Sequence, residues 1–226
     1  MRTHRFVVVV LIFLGVLCPL VVVGEETGRQ VWQKCPLDMV PADTFCIDKF
    51  EYPNEPGTMP RAYVAFAEAV QICLSQGKRL CTTDEWSRAC SGPRKLEYPY
   101  GNELRQGACN LGTTRVTQHW TWYGLRKTDR DVELSEPAVA GRYRDCVSDY
   151  GAYDMVGNYW EWTDAGLADQ TILMGGGWGT PSDTVSCVNK TEEATKLYRI
   201  RSVSFRCCRD FLSKPQTDSD VQEPSK

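Results

Sequence analysis

The chain has 226 residues and a formal net charge of −3 at pH 7. This charge balance excludes a strongly basic surface, so we expect no nucleic-acid partner. After Arg5 the chain has one histidine, His119, and a nucleophile activated by histidine would have to use it.

The first 24 residues have the pattern of an export leader. Two arginines among the first five residues precede an uncharged apolar run from 6 to 24. This pattern predicts a secretory signal peptide over 1–24, cut before Glu25. A retained N-terminal membrane anchor is the alternative, because the run is long enough to span a bilayer. In both cases the remainder is expected to be exported, to the periplasm, the cell surface or the medium.

Helices are expected in the first half of the exported part, after a linker at 25–34. A short strand near 44–50 leads into a loop rich in Pro and Gly. Apolar residues at helical spacing then predict a helix over 65–76, with Gly77 as its C-cap. An extended piece at 79–81 precedes a second helix, which we expect Thr83 to cap and which ends near Cys90.

The rest of the chain predicts loops, turns and short strands. The aromatic stretch from His119 to Tyr123 lies between polar segments. It is interpreted either as an exposed loop that contacts sugar or peptide, or as packing beside tryptophans. The tail at 213–226 has Val221 as its one large apolar residue, so we expect it to be disordered.

Cleavage before Glu25 leaves ten cysteines, and an even count in an exported chain predicts disulfides. A zinc or cluster site is the alternative, but the chain has no CxxC pair. Cys207 and Cys208 are expected to reach different partners, because closing a ring between neighbours strains the peptide bond. The pairing itself stays open. The candidates are Cys35, Cys46, Cys73, Cys81, Cys90, Cys109, Cys146, Cys187, Cys207 and Cys208.

Six short motifs carry a resemblance to a known family. They are EYPN at 51–54, GKRLCTTDEW at 77–86, YPYGN at 98–102, GNYWEWT at 157–163, GGGW at 175–178 and FRCC at 205–208. Together and in this order they resemble the formylglycine-generating enzyme, or sulfatase-modifying factor, family. The resemblance implies an irregular, loop-rich α+β domain over 35–212, related to C-type lectin folds, which the disulfides would stabilise.

The family's catalytic residues are missing from this sequence. The enzyme oxidises a substrate cysteine with two cysteines of its own, which bind copper, and the matching positions hold Thr180 and Val185. The arginine and serine of the family's RGGSW motif are Met174 and Gly177 here. Cys187 lies near the second position, but one thiolate does not reproduce a two-cysteine copper site. We therefore expect no catalytic residue and no copper.

The family's calcium sites are better matched. By position, one site would use the carboxylates of Asp154 and Glu161 and the carbonyls of Gly157 and Tyr159. Six to eight oxygens on an irregular loop suit calcium. The alternative is that Asp154 caps a turn and Glu161 joins a polar network. A second family site begins at the positions of Asn110 and Leu111.

The sequence thus predicts an exported binding or structural domain of the formylglycine-generating-enzyme type, stabilised by disulfides and by calcium. Its ligand would be a protein, a peptide or a glycan. The alternative is a divergent oxidase of the same type, acting on an exported protein or a small thiol.

Overall fold

The computed structural model describes residues 34–120, 126–133, 135–188 and 192–212. Two helices, α1 (Phe66–Ser75) and α2 (Thr83–Ser91), accompany ten strands among these residues. The strands are β1 (Met39–Ala42), β2 (Phe45–Asp48), β3 (Arg79–Leu80), β4 (Thr113–Trp120), β5 (Arg126–Glu133), β6 (Trp160–Thr163), β7 (Gln170–Met174), β8 (Glu192–Thr195), β9 (Val203–Phe205) and β10 (Cys207–Asp210). Loops and turns connect them over most of the described length. The expected α+β, loop-rich fold is confirmed.

The strands form three sheets. One has the order β1-β2-β10-β3, the second β8-β7-β6-β9, and the third is the antiparallel β4–β5 hairpin alone. Strands β9 and β10 are separated only by Arg206, so this one residue links the two four-stranded sheets. In the second sheet β6 and β9 run parallel, with Trp160 opposite Val203. Residues distant in sequence are therefore brought together at Arg206.

Five disulfides join all ten predicted cysteines. The pairs are Cys35–Cys46, Cys73–Cys207, Cys81–Cys208, Cys90–Cys187 and Cys109–Cys146. The prediction of disulfides is confirmed, and so is the expectation that Cys207 and Cys208 reach different partners. These two bonds fasten β10 to α1 and to the residue that follows β3. They lie at the point where the two larger sheets meet.

Strand β6 lies between the two larger hydrophobic clusters of the described residues. The first cluster contains Trp86, and the second contains Trp162 and Phe205. Trp162 is fully buried in the cluster with Phe205 and Leu173, and its indole donates to the carbonyl of Val64 at 2.8 Å. The neighbouring Glu161 points to the other side of the strand, toward Trp86 of the first cluster. This follows from the two-residue period of a strand. A charged side chain is thereby placed between the two clusters.

The helix boundaries correct the sequence analysis in detail. Helix α2 is capped by Thr82 rather than Thr83, and the Thr82 hydroxyl accepts from Glu85 N at 3.2 Å. Glu85 in turn accepts from Thr82 N, which completes a capping box. The C-cap of α1 is Gln76 rather than the expected Gly77, which follows it with φ +66° and donates to Leu74 O. Threonines at 82 and 83 are equally good cap residues, and only the backbone distinguishes them.

The β4–β5 hairpin was not expected. Its two strands are eight residues each, whereas the sequence predicted short strands there. The segment lacks an apolar face that alternates with a polar one, so no strand period stands out. His119 and Trp120 end β4 and are not part of a loop, while residues 121–125 lie outside the described residues. The sequence predictions for 1–24, 25–33 and 213–226 also concern residues outside the described ones. In the described part, no helix is long and apolar enough to cross a membrane.

Candidate functional site

A charged centre is buried where β6, β9 and β10 meet. Arg206 and Glu161 have almost no exposed side-chain surface. The Arg206 guanidinium donates to Glu161 through two nitrogens, Nε to Oε2 at 2.7 Å and Nη2 to Oε1 at 2.6 Å. Trp86 Nε1 donates to Glu161 Oε2 at 2.8 Å. Arg206 also donates to Tyr153 O, so its planar fork is closely matched by protein acceptors.

Glu51 holds a tight turn against this centre. Its carboxylate accepts from Asn158 Nδ2 at 2.8 Å and from Tyr159 N at 3.0 Å. Asn158 has φ +61° and Gly157 φ +85°, both in the left-handed region. A Cβ on Gly157 would lie 2.5 Å from Asn110 O, so glycine is required there. The GNYW motif is therefore a backbone turn that a buried carboxylate fixes.

The centre carries more negative than positive charge. Burial raises the pKa of Glu51 well above its ordinary value, and the nearby carboxylates of Asp154 and Glu161 raise it further. Burial likewise raises the pKa of Asp154 to about 6, although its Oδ2 accepts from Gly141 N at 2.7 Å. Arg206 balances one of three carboxylates. The remaining charge calls for protons or a cation.

The residues of the two expected calcium sites lie next to each other. Asn110 O accepts from Asn158 N at 2.8 Å, and Asn110 Nδ2 donates to Asn158 Oδ1 at 3.0 Å. Leu111 approaches Gly157, where an added Cβ would lie 3.1 Å from Leu111 Cγ. The first site's turn is thus bonded directly to the start of the second. Sequence spacing alone did not indicate this contact.

The two expected carboxylate ligands differ in how well they fit calcium. Both oxygens of Glu161 already carry hydrogen bonds from Arg206 or Trp86, so Glu161 does not fit as a ligand in this arrangement. Asp154 fits better, since it is a buried carboxylate and Arg206 directs its hydrogen bonds to Glu161 and to backbone carbonyls instead. Among the described residues, no group of three or more His, Cys, Asp or Glu side chains could hold a metal ion.

A surface cleft of about 490 Å³ lies on the outer side of the same turn. Its described lining is aromatic, small or hydroxylated, with one cation and no acid. The lining residues are Trp160, Gly177, Trp178, Gly179, Thr180, Pro181, Arg201 and Ser202. Trp160 is half-buried and Arg201 is exposed. Such a lining suits a ligand that has both an apolar and a polar part.

The buried turn positions the cleft's tryptophans. Trp178 N donates to Asn158 O at 2.9 Å, and the Trp178 ring packs edge-on against Tyr159 with centroids 4.9 Å apart. A Cβ on Gly177 would lie 3.1 Å from Trp160 Cδ1, so the glycine leaves room for the indole. The family has serine at this position. Here glycine takes the place of that serine, and the Trp160 indole packs closely against it.

The two positions that the sequence analysis assigned to the family's catalytic cysteines lie beside Gly176. A Cβ built on Gly176 would lie 2.8 Å from Val185 Cγ1 and 3.4 Å from Thr180 Cβ. Thr180 and Val185 are therefore near each other. The Thr180 hydroxyl accepts from Gly177 N at 2.9 Å, and Val185 is buried. Cys187, the nearby cysteine, is bonded to Cys90.

Two residues of this region were missed by the sequence analysis as site residues. Glu51 was seen as part of a motif, but its role depends on Asn158 and Tyr159, more than one hundred residues later. Arg201 lies outside every motif, and it reaches the cleft because Ser202 O accepts from Trp160 N at 2.9 Å. No local pattern around Arg201 signals this placement.

Residues 24–211 match the model of the sulfatase-modifying factor enzyme 1-like domain. An inactive C-alpha-formylglycine-generating enzyme 2 of Bos taurus is 32% identical over 130 residues, which cover 55% of this chain and 40% of that protein. The Mus musculus protein of the same name is 29% identical over 171 residues, covering 71% and 52%. The chain thus spans about half the length of these relatives or less.

Active relatives and solved structures are also similar. The formylglycine-generating enzyme of Mycobacterium tuberculosis is 30% identical over 104 residues, covering 46% of this chain and 32% of the enzyme. The Major Tropism Determinant P3c variant has a TM-score of 0.50 at 13% identity, covering 79% of this chain and 54% of that one. PvdO from Pseudomonas aeruginosa has a TM-score of 0.49 at 17% identity, with 75% and 69% covered. Because the family model matches most of its length, this chain belongs to the family of sulfatase-modifying factor enzyme 1-like domains.

Proposed function

We propose that this chain is an exported, non-catalytic binding domain whose ligand lies in the cleft between Trp160 and Trp178. One observation carries the proposal. The place beside Gly176 that matches the family's cysteine pair is filled by Thr180 and Val185. Two relatives whose printed names call them inactive formylglycine-generating enzymes support the same conclusion.

The chemistry of the oxidase requires thiolates. A thiolate is the group that binds copper and exchanges with a substrate cysteine, and neither a hydroxyl nor an isopropyl group replaces it. Cys187 supplies no substitute, since its sulfur is bonded to Cys90. The other cysteines after residue 34 are in disulfides as well. Oxidation of a substrate cysteine by this domain is therefore unsupported.

A preformed cleft supports binding. Buried groups hold the turn behind it, with Glu51 accepting from Asn158 and Tyr159. Because the cleft is already formed, little conformational entropy of the protein is lost when a ligand binds. A modest number of contacts then gives useful affinity. The half-buried Trp160 offers apolar surface, and Ser202 and Thr180 offer polar atoms at the edge. This combination is typical of ligand sites.

The proposal also includes export of the protein and the binding of calcium. Five disulfides support an oxidising compartment, because thiols in the cytosol are kept reduced. Calcium binding is proposed at Asp154, with carbonyls of the 157–159 turn. The burial of this carboxylate supports a cation there, since Arg206 directs its hydrogen bonds to Glu161 and to backbone carbonyls. Its role would be to stabilise the turn behind the cleft.

The activity test uses a sulfatase-type cysteine peptide incubated with the protein, oxygen, copper and a reductant. We expect mass spectrometry to show no conversion of cysteine to formylglycine. Aldehyde formation that Cys187→Ala removes would overturn the non-catalytic proposal and make the chain a divergent oxidase. An active formylglycine-generating enzyme, assayed in parallel, shows that the conditions permit turnover.

A further inference from the structure

Arg201 is placed to select a ligand by charge. The residue is exposed, and its guanidinium carbon lies 5.8 Å from the centre of the Trp178 ring. We infer that the cleft takes an extended acidic peptide, one carboxylate of which pairs with Arg201 beside the tryptophans. The inference rests on the proposed binding role of the cleft and adds the chemical class of the ligand.

The charge of the cleft is the first argument. Of the described residues that line it, Arg201 is the one cation, and none is acidic. Among the described residues Arg201 has no carboxylate within ion-pair distance. This differs from the arginines whose charge is satisfied within the protein, which are Arg79, Arg88, Arg94, Arg199 and Arg206. A guanidinium that faces a cleft with no acid among its described lining residues is complementary to a carboxylate.

The aromatic surface is the second argument. The Trp178 ring sits beneath the guanidinium, which holds the Arg201 side chain over the cleft. Trp160 and Pro181 add apolar surface next to the charge. A ligand that fits both features has an apolar group next to its carboxylate. Acidic peptide segments with apolar neighbours meet this requirement.

The β4–β5 hairpin is the third argument, and it favours a peptide over a small molecule. Gly112, just before β4, donates to Thr180 O at 2.9 Å. Ser135, two residues after β5, donates to Trp178 O at 3.2 Å. Both ends of the hairpin are thus bonded to the cleft lining. In the described part of the chain, no third strand pairs with β4 or β5, and the residue before β4, Gly112, forms a bridge with Pro181 of the cleft lining. Strands without a further partner accept extended peptide backbone at their edges.

The test measures binding of acetylated, amidated octapeptide pools by fluorescence polarisation. The pools are random except for one central residue, which is Glu, Gln or Lys. We expect the Glu pool to bind about tenfold more tightly than the Gln pool, because a hydrogen bond to a charged group contributes that much. Arg201→Gln should remove the preference. Arg144→Gln, at another exposed arginine, is the matched control and should keep it.

Each other outcome overturns the inference. Equal binding of the Glu and Gln pools, or a preference that persists in Arg201→Gln, would show that Arg201 does not select the ligand. Binding of a neutral oligosaccharide such as chitotriose, with none to any peptide pool, would replace the peptide by a glycan. In these cases the binding role of the cleft stands. Absence of binding to every probe would overturn the inference that the ligand is an acidic peptide. The non-catalytic role is tested separately by the cysteine-peptide assay.

Discussion

Arg206 and Arg201 are five residues apart in the sequence, and their surroundings are opposite. Arg206 is buried, with Glu161 and backbone carbonyls as acceptors for its nitrogens. Arg201 is exposed beside a tryptophan ring, in a cleft whose described lining residues include no acid. The guanidinium of Arg206 is paired within the folded protein, whereas the guanidinium of Arg201 can still form an ion pair with a ligand.

This contrast separates the structural from the functional part of the domain. A buried charge is tolerated only when its partners are built in, so every group around Arg206 is committed to the folded state. An exposed charge costs little to leave unpaired, because water solvates it until a ligand arrives. The turn at 157–159 joins the two regions, since its inner side contacts Glu51 and its outer side contacts Trp178.

The largest expected effect comes from breaking the buried pair. Arg206→Gln leaves Glu161 buried without its main partner, and we expect the free energy of unfolding to fall by about 5 kcal/mol. Arg201→Gln should change it by less than about 0.5 kcal/mol. Urea unfolding followed by tryptophan fluorescence measures both. Similar losses in the two variants would show that the contrast between the arginines is unfounded.

The next effect concerns the disulfide beside Arg206. Replacing Cys73 and Cys207 by alanine removes a bond with a sequence separation of 134, but the intact Cys81–Cys208 bond leaves only a short additional loop for it to close, and we expect a loss of about 3 kcal/mol. Removing Cys35–Cys46, with a separation of 11, should cost about as much, because this bond closes a loop of similar length in the unfolded chain. Both losses are measured by urea unfolding.

A simpler measurement tests the disulfide framework as a whole. Thiol titration of denatured, unreduced mature protein should give close to zero thiols per chain. Two or more thiols would contradict the pairing and would bring a copper site back into consideration. The titration should be repeated after reduction, when ten thiols are expected, one for each cysteine in the five pairs.

Calcium binding would give a smaller effect, on the order of 2 kcal/mol at saturating calcium. We expect the melting temperature at pH 7.5 to fall when calcium is removed with a chelator. Asp154→Asn should abolish this difference, while Asp145→Asn, at an exposed carboxylate, should not. Glu161 is unsuitable for the test, since its replacement would leave the buried Arg206 without its carboxylate partner. An unchanged melting temperature in the wild type would contradict the calcium prediction.

The smallest effect belongs to an arginine between the two extremes. Arg79 is partly exposed and pairs with Glu85. Burial raises the pKa of Glu85, but the hydrogen bonds from Arg79 and Thr82 and the charge of Arg79 together outweigh it, and the pKa is lowered. The carboxylate therefore stabilises the fold above its unfolded pKa, and this contribution disappears as the pH falls through the folded value. We expect Glu85→Gln to cost about 1 kcal/mol at pH 7 and progressively less as the pH falls through the folded pKa of Glu85. Urea midpoints at several pH values check this, and a cost that is constant with pH would contradict it.

The sequence predicted the features that depend on local pattern. The spacing of apolar residues placed α1 within one residue of its observed start and end, because side chains three and four positions apart share a helix face. The cap of α2 was placed one residue late, since two threonines offer the same hydroxyl. The β4–β5 hairpin was missed, because its strands are paired by backbone bonds that leave no hydrophobic signature.

What the sequence by itself determined is the family, the fold class and the presence of disulfides. These follow from short motifs and from a cysteine count, both of which are visible along the chain. Tertiary structure alone decided which cysteines pair, that Glu161 faces Arg206, and that Arg201 lines the cleft with Trp178. The physical reason is that ion pairs, ring contacts and disulfides depend on distances of a few ångströms in space. Residues far apart in sequence meet at those distances only after the loops have closed.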